Sequence, residues 1–386
     1  MKITYGHPKD GRWDLKRFVL GMVSEQHGIP IFLQTFSGNE SDKNTLRIII
    51  EDLKDNLQSK EKVYHVADSA FYTKPNLESL GPQTFWISRV PVSIDEAKLL
   101  VKSDCSFSPC ADDRYEYTEH RSDYAGIPQQ WVCYHSKMMH KRQEKTFEKK
   151  IVKRTDSAKK SLKSLCGEDF ACEPDAQGAA EKWQKGHPGY LLQDLKFNTI
   201  NRKAEKKRGR PRADEPMVVS YRISAEITVN ETFIQKEKAK FGRFVLATND
   251  LGLSPDELLT NYKNQGTVER GFRFLKDKSF RVAEIFLKKT SRIQALAMIM
   301  VLCLFIYSMT EYQLRKELEK SGKTVTGQTK KQTKRPTLKW IFFGFRKARE
   351  YTLSEGGVKI KRVTKLDPEL WLILSLLGEG CEKYYT

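Results

Sequence analysis

The sequence predicts an α/β core, interrupted by a β-rich insertion and followed by a helical C-terminal extension. Three observations carry this. Residues 1–91 alternate strand-like and helix-like periods in the order strand, strand, helix, strand, helix, strand. Residues 92–248 hold strand patterns around one long basic helical stretch. Beyond them helical periodicity returns, first from Ser254 and then from Ser291. The implied organisation is a core in two parts, 1–91 and 249–310, with the insertion at 92–248 and a basic extension at 311–386.

Residues 17–24 and 29–36 read as two strands joined at His27-Gly28. Ser41 and Asp42 offer a cap for a helix to about Leu57, with Leu46, Ile49, Ile50 and Leu53 on one face. A short strand from Val63 ends at Asp68. A helix over Lys74–Leu80 and a strand over Phe85–Val90 follow. In open α/β sheets, ligands bind at the C-terminal ends of strands, which is where Asp68 stands.

In the insertion, Tyr115–His120, Trp131–Tyr134, Val218–Val229 and Phe244–Thr248 read as strands. Met138–Leu165 reads as a basic amphipathic helix, with Phe147, Ile151, Ala158, Leu162 and Leu165 on one side. It packs on the strands in the plainer reading and faces DNA in the other. The run from Lys206 to Arg212 contains Arg208-Gly209-Arg210-Pro211-Arg212, similar to an AT-hook core that places arginines in a narrow minor groove. A charged linker explains the same run. In the tail, Lys330, Lys331, Lys334, Arg335 and Lys339 interleave with Trp340, Phe342 and Phe343, a mixture that suits phosphate and base contacts or a packed helix with a charged outer face.

The 386 residues carry 68 Lys and Arg against 49 Asp and Glu, a net charge of +19, which favours a polyanionic partner such as DNA. The longest apolar run, Ala295–Tyr307, is too short to span a bilayer and reads as a buried helix, so no membrane partner is expected. Seven cysteines without C-x-x-C pairs indicate no zinc module and a reducing, cytoplasmic setting. Lys2–Tyr5 reads as strand, not as a targeting segment.

Ser254, Pro255 and Glu257 mark a capped helix start. On that helix Tyr262, Gln265, Glu269 and Lys276 fall within an arc of about 60° at 100° per residue. Val268, Phe272 and Leu275 form the adjoining apolar arc. Gly266 and Gly271 permit a kink. A solvated polar face is the plainer reading of the stripe. The sharper one is a carboxylate beside a cation, suited to metal-assisted chemistry at a phosphate. Acids converging from a strand end and a helix build such a site, and Asp68 and Glu269 are the candidates. For Asp68 alone, a cap on the following turn is an equal reading.

The stripe, within YKNQGTVERGFRFLKD, resembles the Y-x2-R-x3-E-x6-K signature of bacterial insertion-sequence DDE transposases, with Gln265 in place of the Arg. VYHVADSAFYT resembles that family's second-Asp segment, and YGHPKDGRWDLKRF and GNESDKNTL resemble its blocks downstream of the first Asp. The resemblance spans nearly the whole chain. It implies an RNase H-like core, Mg²⁺ (or Mn²⁺), and cleavage and transfer of strands at transposon ends into target DNA. It also implies a homodimer on paired ends, near the nucleoid. Carried over by position, Asp68 and Glu269 bind metal, while Tyr262, Gln265 and Lys276 position the DNA backbone. Arg208, Arg210 and Arg212 add DNA contacts.

The family's first Asp lies on a strand preceding residues 17–24, and no such strand is readable. Asp10 and Asp14 lie in a Gly/Pro-rich loop and are not assigned. In that fold the first strand is central, and each buried polar group left unpaired costs about 1–3 kcal/mol. The expectation is therefore an N-terminally truncated transposase, catalytically impaired. A non-catalytic DNA-binding protein and a remnant that does not fold are the alternatives.

Overall fold

The structure is a computed structural model that describes residues 1–8, 11–56, 62–203, 217–275, 287, 289–355, 358–364 and 366–385. Along the chain, β1 (Phe18–Ser24) and β2 (Pro30–Ser37) precede α1 (Asp42–Asn56), β3 (Tyr64–Ala67), α2 (Lys74–Leu80) and β4 (Phe85–Arg89). Next come α3 (Asp95–Lys102), β5 (Ser108–Pro109), β6 (Tyr115–Ser122), β7 (Gln129–Ser136) and α4 (Lys137–Leu165). α5 (Glu173–Gly186), β8 (Tyr190–Lys203), β9 (Met217–Val229), α6 (Glu231–Lys238) and β10 (Arg243–Thr248) follow. The helices α7 (Pro255–Asn264), α8 (Gly266–Leu275) and α9 (Thr290–Ser321) lead to β11 (Val325–Thr326), β12 (Gln332–Thr333) and α10 (Leu338–Phe345). The chain closes with β13 (Glu350–Glu355), β14 (Val358–Val363), α11 (Pro368–Leu377) and α12 (Glu379–Lys383). It divides into two compact units: Met1–Ser88 with Tyr124–Ile127 and Glu257–Thr386, and Arg89–Asp123 with Pro128–Asp256.

In the first unit, β1 and β2 form an antiparallel hairpin that is apolar on both faces, because strand side chains alternate. Val19, Val23, Phe32 and Phe36 pack with Ile49 and Leu53 of α1. Leu20, Met22 and Leu33 pack with Val268, Phe272 and Leu275 of α8 and with Val301 and Leu304 of α9. The turn is held by Glu25, whose carboxylate accepts the His27 and Ile29 N–H groups at 2.8 and 3.1 Å. Gly28 supplies its positive φ of 89°. β3 pairs with β4 in parallel, and the β1–β2 hairpin is a sheet of its own.

The second unit holds the antiparallel succession β10, β7, β6, β5. β7 is central, which is why Trp131, Val132, Cys133 and Tyr134 are all fully buried. The long β8–β9 hairpin packs against α4 and α5 through Ala158, Leu162, Trp183, Tyr190 and Ile223. The insertion is thus mixed rather than β-rich, with α3, α4, α5 and α6 among its elements. α5 escaped the sequence reading because its buried residues are mainly alanines, Ala176 and Ala180 beside Trp183.

Two further expectations need correction. The C-terminal extension is not wholly helical: β11–β12 and β13–β14 are antiparallel pairs within it. The apolar run at 295–307 is not a buried helix but part of the 32-residue α9. That helix buries Ile293, Ala297, Val301 and Leu304, yet leaves Met298, Ile299, Leu302 and Ile306 more than half exposed. By length and composition alone α9 could cross a membrane. A short apolar run underestimates a helix whose polar ends extend it. α9 ends at Gly322, left-handed at φ 70°.

Gly271 on α8 is a close-packing position. A Cβ there would lie 2.8 Å from Met22 Cε and 3.2 Å from Leu304 Cδ2. Overfilling such a site costs about 1–3 kcal/mol. Gly271→Leu should therefore lower the urea midpoint, and adding Met22→Ala should recover part of the loss. A Gly271→Leu chain as stable as the parent would show that α8 does not sit this close.

Candidate active site

The helix that begins at Ser254-Pro255 forms where its capping signals place it, but it stops at Asn264. Gln265 lies between α7 and α8. Its N–H donates to the Tyr262 carbonyl at 3.2 Å, and its own carbonyl accepts from Val268 N–H at 3.0 Å. These i→i+3 bonds tighten the chain into a turn, and the Thr267 hydroxyl donates to the Asn264 carbonyl at 2.8 Å across it. Gly266 opens the new helix, where its poor helix propensity weakens a continuous path. The single polar stripe is therefore a correction. Tyr262 sits in the last turns of α7, Gln265 at the junction and Glu269 in the first turn of α8. Lys276 lies outside the described residues, as do Arg208, Arg210 and Arg212.

Tyr262 and Gln265 are half-buried, and Glu269 is exposed. The adjoining apolar arc behaves as its periodicity predicts, since Val268, Phe272 and Leu275 all join the cluster under the hairpin. The hairpin also touches the start of α8, where a Cβ on Gly28 would lie 3.0 Å from Thr267 Cβ. Arg270 and Arg273 flank Glu269 on the exposed side of α8, and the spacing argument passed over both. Arg273, four residues on, shares the side of Glu269; that i, i+4 relation was available in the sequence.

Asp68 follows β3 directly and is exposed. Its Oδ1 accepts the Ala70 N–H at 2.9 Å, and its carbonyl accepts the Phe71 N–H at 3.2 Å and the Ser88 hydroxyl at 3.0 Å. The turn cap is thus formed. It is held from below by Phe71 and Tyr72, both fully buried against Trp86. This fixes the direction in which a strand-end carboxylate leaves the sheet without consuming its second oxygen.

Asp14 is exposed and engaged by Arg12, whose Nε and Nη2 donate to its two oxygens at 2.9 Å each. The Arg12 guanidinium holds its carboxyl below the usual range. Asp10 lies outside the described residues. Two carboxylates, Asp68 and Glu269, have the hard oxygen donors that Mg²⁺ or Mn²⁺ takes. Among the described residues, however, no three of His, Cys, Asp and Glu gather closely enough to hold a metal ion. The described side chains therefore do not assemble a complete metal site.

A family profile described as a transposase DDE domain matches residues 5–306, well over half of the chain. No curated protein and no solved structure matched the chain.

The cap formed by Asp68 can be tested apart from its charge. Asp68→Asn keeps an oxygen for the Ala70 N–H and should leave the melting transition unchanged. Asp68→Ala removes the acceptor and should cost about 1 kcal/mol in urea unfolding. Equal stability of the two variants would show that the cap contributes nothing.

Proposed function

The chain belongs to the transposase DDE domain family, and on that premise we propose that it acts at the ends of an insertion sequence, with Asp68 and Glu269 as two of its metal-binding acids. Membership implies DNA transposition and contact with DNA, and enzymes of this family generally use divalent metals. The observation that carries the reading is the placement of both acids in one unit, within the matched span. One leaves the end of β3 on a buttressed turn, and the other stands exposed on the first turn of α8. In this reading the β1–β2 hairpin, β3–β4 and α8–α9 are parts of an RNase H-like core.

The roles follow from chemistry and position. Bound metal would neutralise charge at the scissile phosphate. Asp68 and Glu269 would hold it through carboxylate oxygens, with Asp68 oriented by the Ala70 N–H. Tyr262 and Gln265, one turn and a junction before Glu269, would steady the DNA backbone, as would Lys276. Arg208, Arg210 and Arg212, between β8 and β9 in sequence, would add contacts in an A·T-rich minor groove. Assembly as a homodimer on paired ends and a place at the nucleoid in the cytoplasm belong to the same proposal.

Catalysis is the weaker half. Among the described residues no three metal-ligating side chains are gathered, so this chain should bind DNA better than it cuts it. A non-catalytic DNA-binding role is the second reading, favoured by the lack of any gathered group of three metal-ligating side chains among the described residues and by the net charge of +19.

Purified protein should be incubated with Mg²⁺ or Mn²⁺ and a labelled duplex taken from the DNA flanking its own coding sequence. Binding should weaken steeply with salt and survive Glu269→Ala. Little nicking is expected. Robust nicking abolished by Asp68→Asn or Glu269→Gln would instead establish a working site with an acid not recognised above. Failure to bind duplex at low salt would remove both readings.

A further inference from the structure

A groove of about 1160 Å³ lies in the first unit between α8, α9 and the segment entering α10. It exceeds the roughly 300–1,000 Å³ of small-molecule pockets, and its rim is cationic. Arg270 and Arg273 enter from α8, Lys316 and Lys320 from α9, and Arg335 from the segment before α10. All five are exposed, and none has a carboxylate partner among the described residues.

The two acids in the groove are already engaged. Glu311 Oε1 pairs with Arg315 Nη2 at 2.6 Å while its Oε2 accepts the Leu338 N–H at 2.8 Å. Glu319 lies 4.0 Å from Lys334 Nζ. Arg315 is a structural cation, donating from Nε and Nη2 to the Pro336 carbonyl at 3.0 and 2.9 Å. Burial chiefly pushes its pKa down; Glu311 opposes this, and neighbouring Arg270 and Arg335 add to it. Glu311 thus offsets Arg315, and the five rim cations keep their charge without a carboxylate partner among the described residues.

The walls are aromatic. Tyr312 lies against His27 with ring centroids 4.5 Å apart, and Lys316 Nζ is 5.9 Å from the Tyr312 ring. Tyr307 meets Phe274 with ring centroids 4.7 Å apart. Cations that take phosphates beside ring faces that take unstacked bases make a platform for single strands; a stacked duplex would use only the charges.

We infer that this groove binds a single strand of DNA, with phosphates on Arg270, Arg335, Lys316 and Lys320 and bases against Tyr307 and Tyr312. The identity of the polyanion rests on the family reading; the charge and shape do not. Because Arg273 is one turn beyond Glu269 on the same side of α8, the bound strand runs past that acid.

Fluorescence anisotropy in EDTA, with a labelled oligothymidylate and a labelled duplex at several salt concentrations, tests this without catalysis. The parent chain should bind the single strand more tightly than the duplex. Arg270→Gln with Arg335→Gln should weaken single-strand binding at least tenfold and flatten the log K against log salt slope by about 1.4, at about 0.7 per lost phosphate contact. Lys316→Gln with Lys320→Gln, on the other wall, should repeat this independently, so misfolding of one pair, read by circular dichroism, leaves the other decisive. Tyr312→Ala should weaken binding without changing the slope. Lys98→Gln with Lys102→Gln, a matched charge loss on α3, should change neither. Unchanged affinity in both groove pairs would overturn the proposal while DNA binding itself stood. Tighter duplex binding, lost equally in those pairs, would overturn the single-strand assignment. A parent chain that bound neither form would sink the family-based reading as well.

Discussion

The close approach of the β1–β2 hairpin to α8 is the constraint on which the first unit depends. Gly271 lets α8 lie against Met22 and Leu304, and Gly28 lets the hairpin turn lie against Thr267. A large side chain at Gly271 would crowd Met22 and Leu304, and one at Gly28 would crowd Thr267. Glu269 sits between these two contacts along α8, so backbone proximity on either side of it sets its position. The hairpin transmits that placement to α1 through its opposite face, because period-two alternation makes both faces apolar.

The core elements were legible because each carries a local signal that tertiary packing reinforces. α2 runs over Lys74–Leu80 as its pattern predicts, and the two opening strands and β3 differ from their predicted spans by a residue or two. The junction at Gln265 was harder. Helical periodicity continues through it, and only Gly266 hints at the break, so Tyr262 and Glu269, which share one arc on paper, fall on two helices in space. The groove was legible only through Arg335 and Lys339 in the basic cluster of the tail. Its cations come from α8, from the second half of α9 and from the segment before α10, which are separated by dozens of positions and joined only by folding.

Asp68 illustrates how a structural role and a proposed chemical one can share one side chain. An Asx-type turn uses one carboxylate oxygen to satisfy a backbone N–H, and the sequence offered this as the alternative to a ligand. The structure forms the turn and leaves the residue exposed. A cap of this kind pre-orients the carboxylate, which lowers the entropy lost when a second partner engages it. The two readings are therefore complementary.

α9 joins two hydrophobic clusters with one uninterrupted backbone. Val301 and Leu304 belong to the cluster under the hairpin, while Leu314 and Leu318 belong to the one formed with α10 and α11. At 1.5 Å per residue its 32 residues span about 48 Å. Neither cluster can dissolve without fraying the helix that the other one holds, and helix propagation is cooperative. Local unfolding at either end of α9 is therefore opposed by packing at the far one.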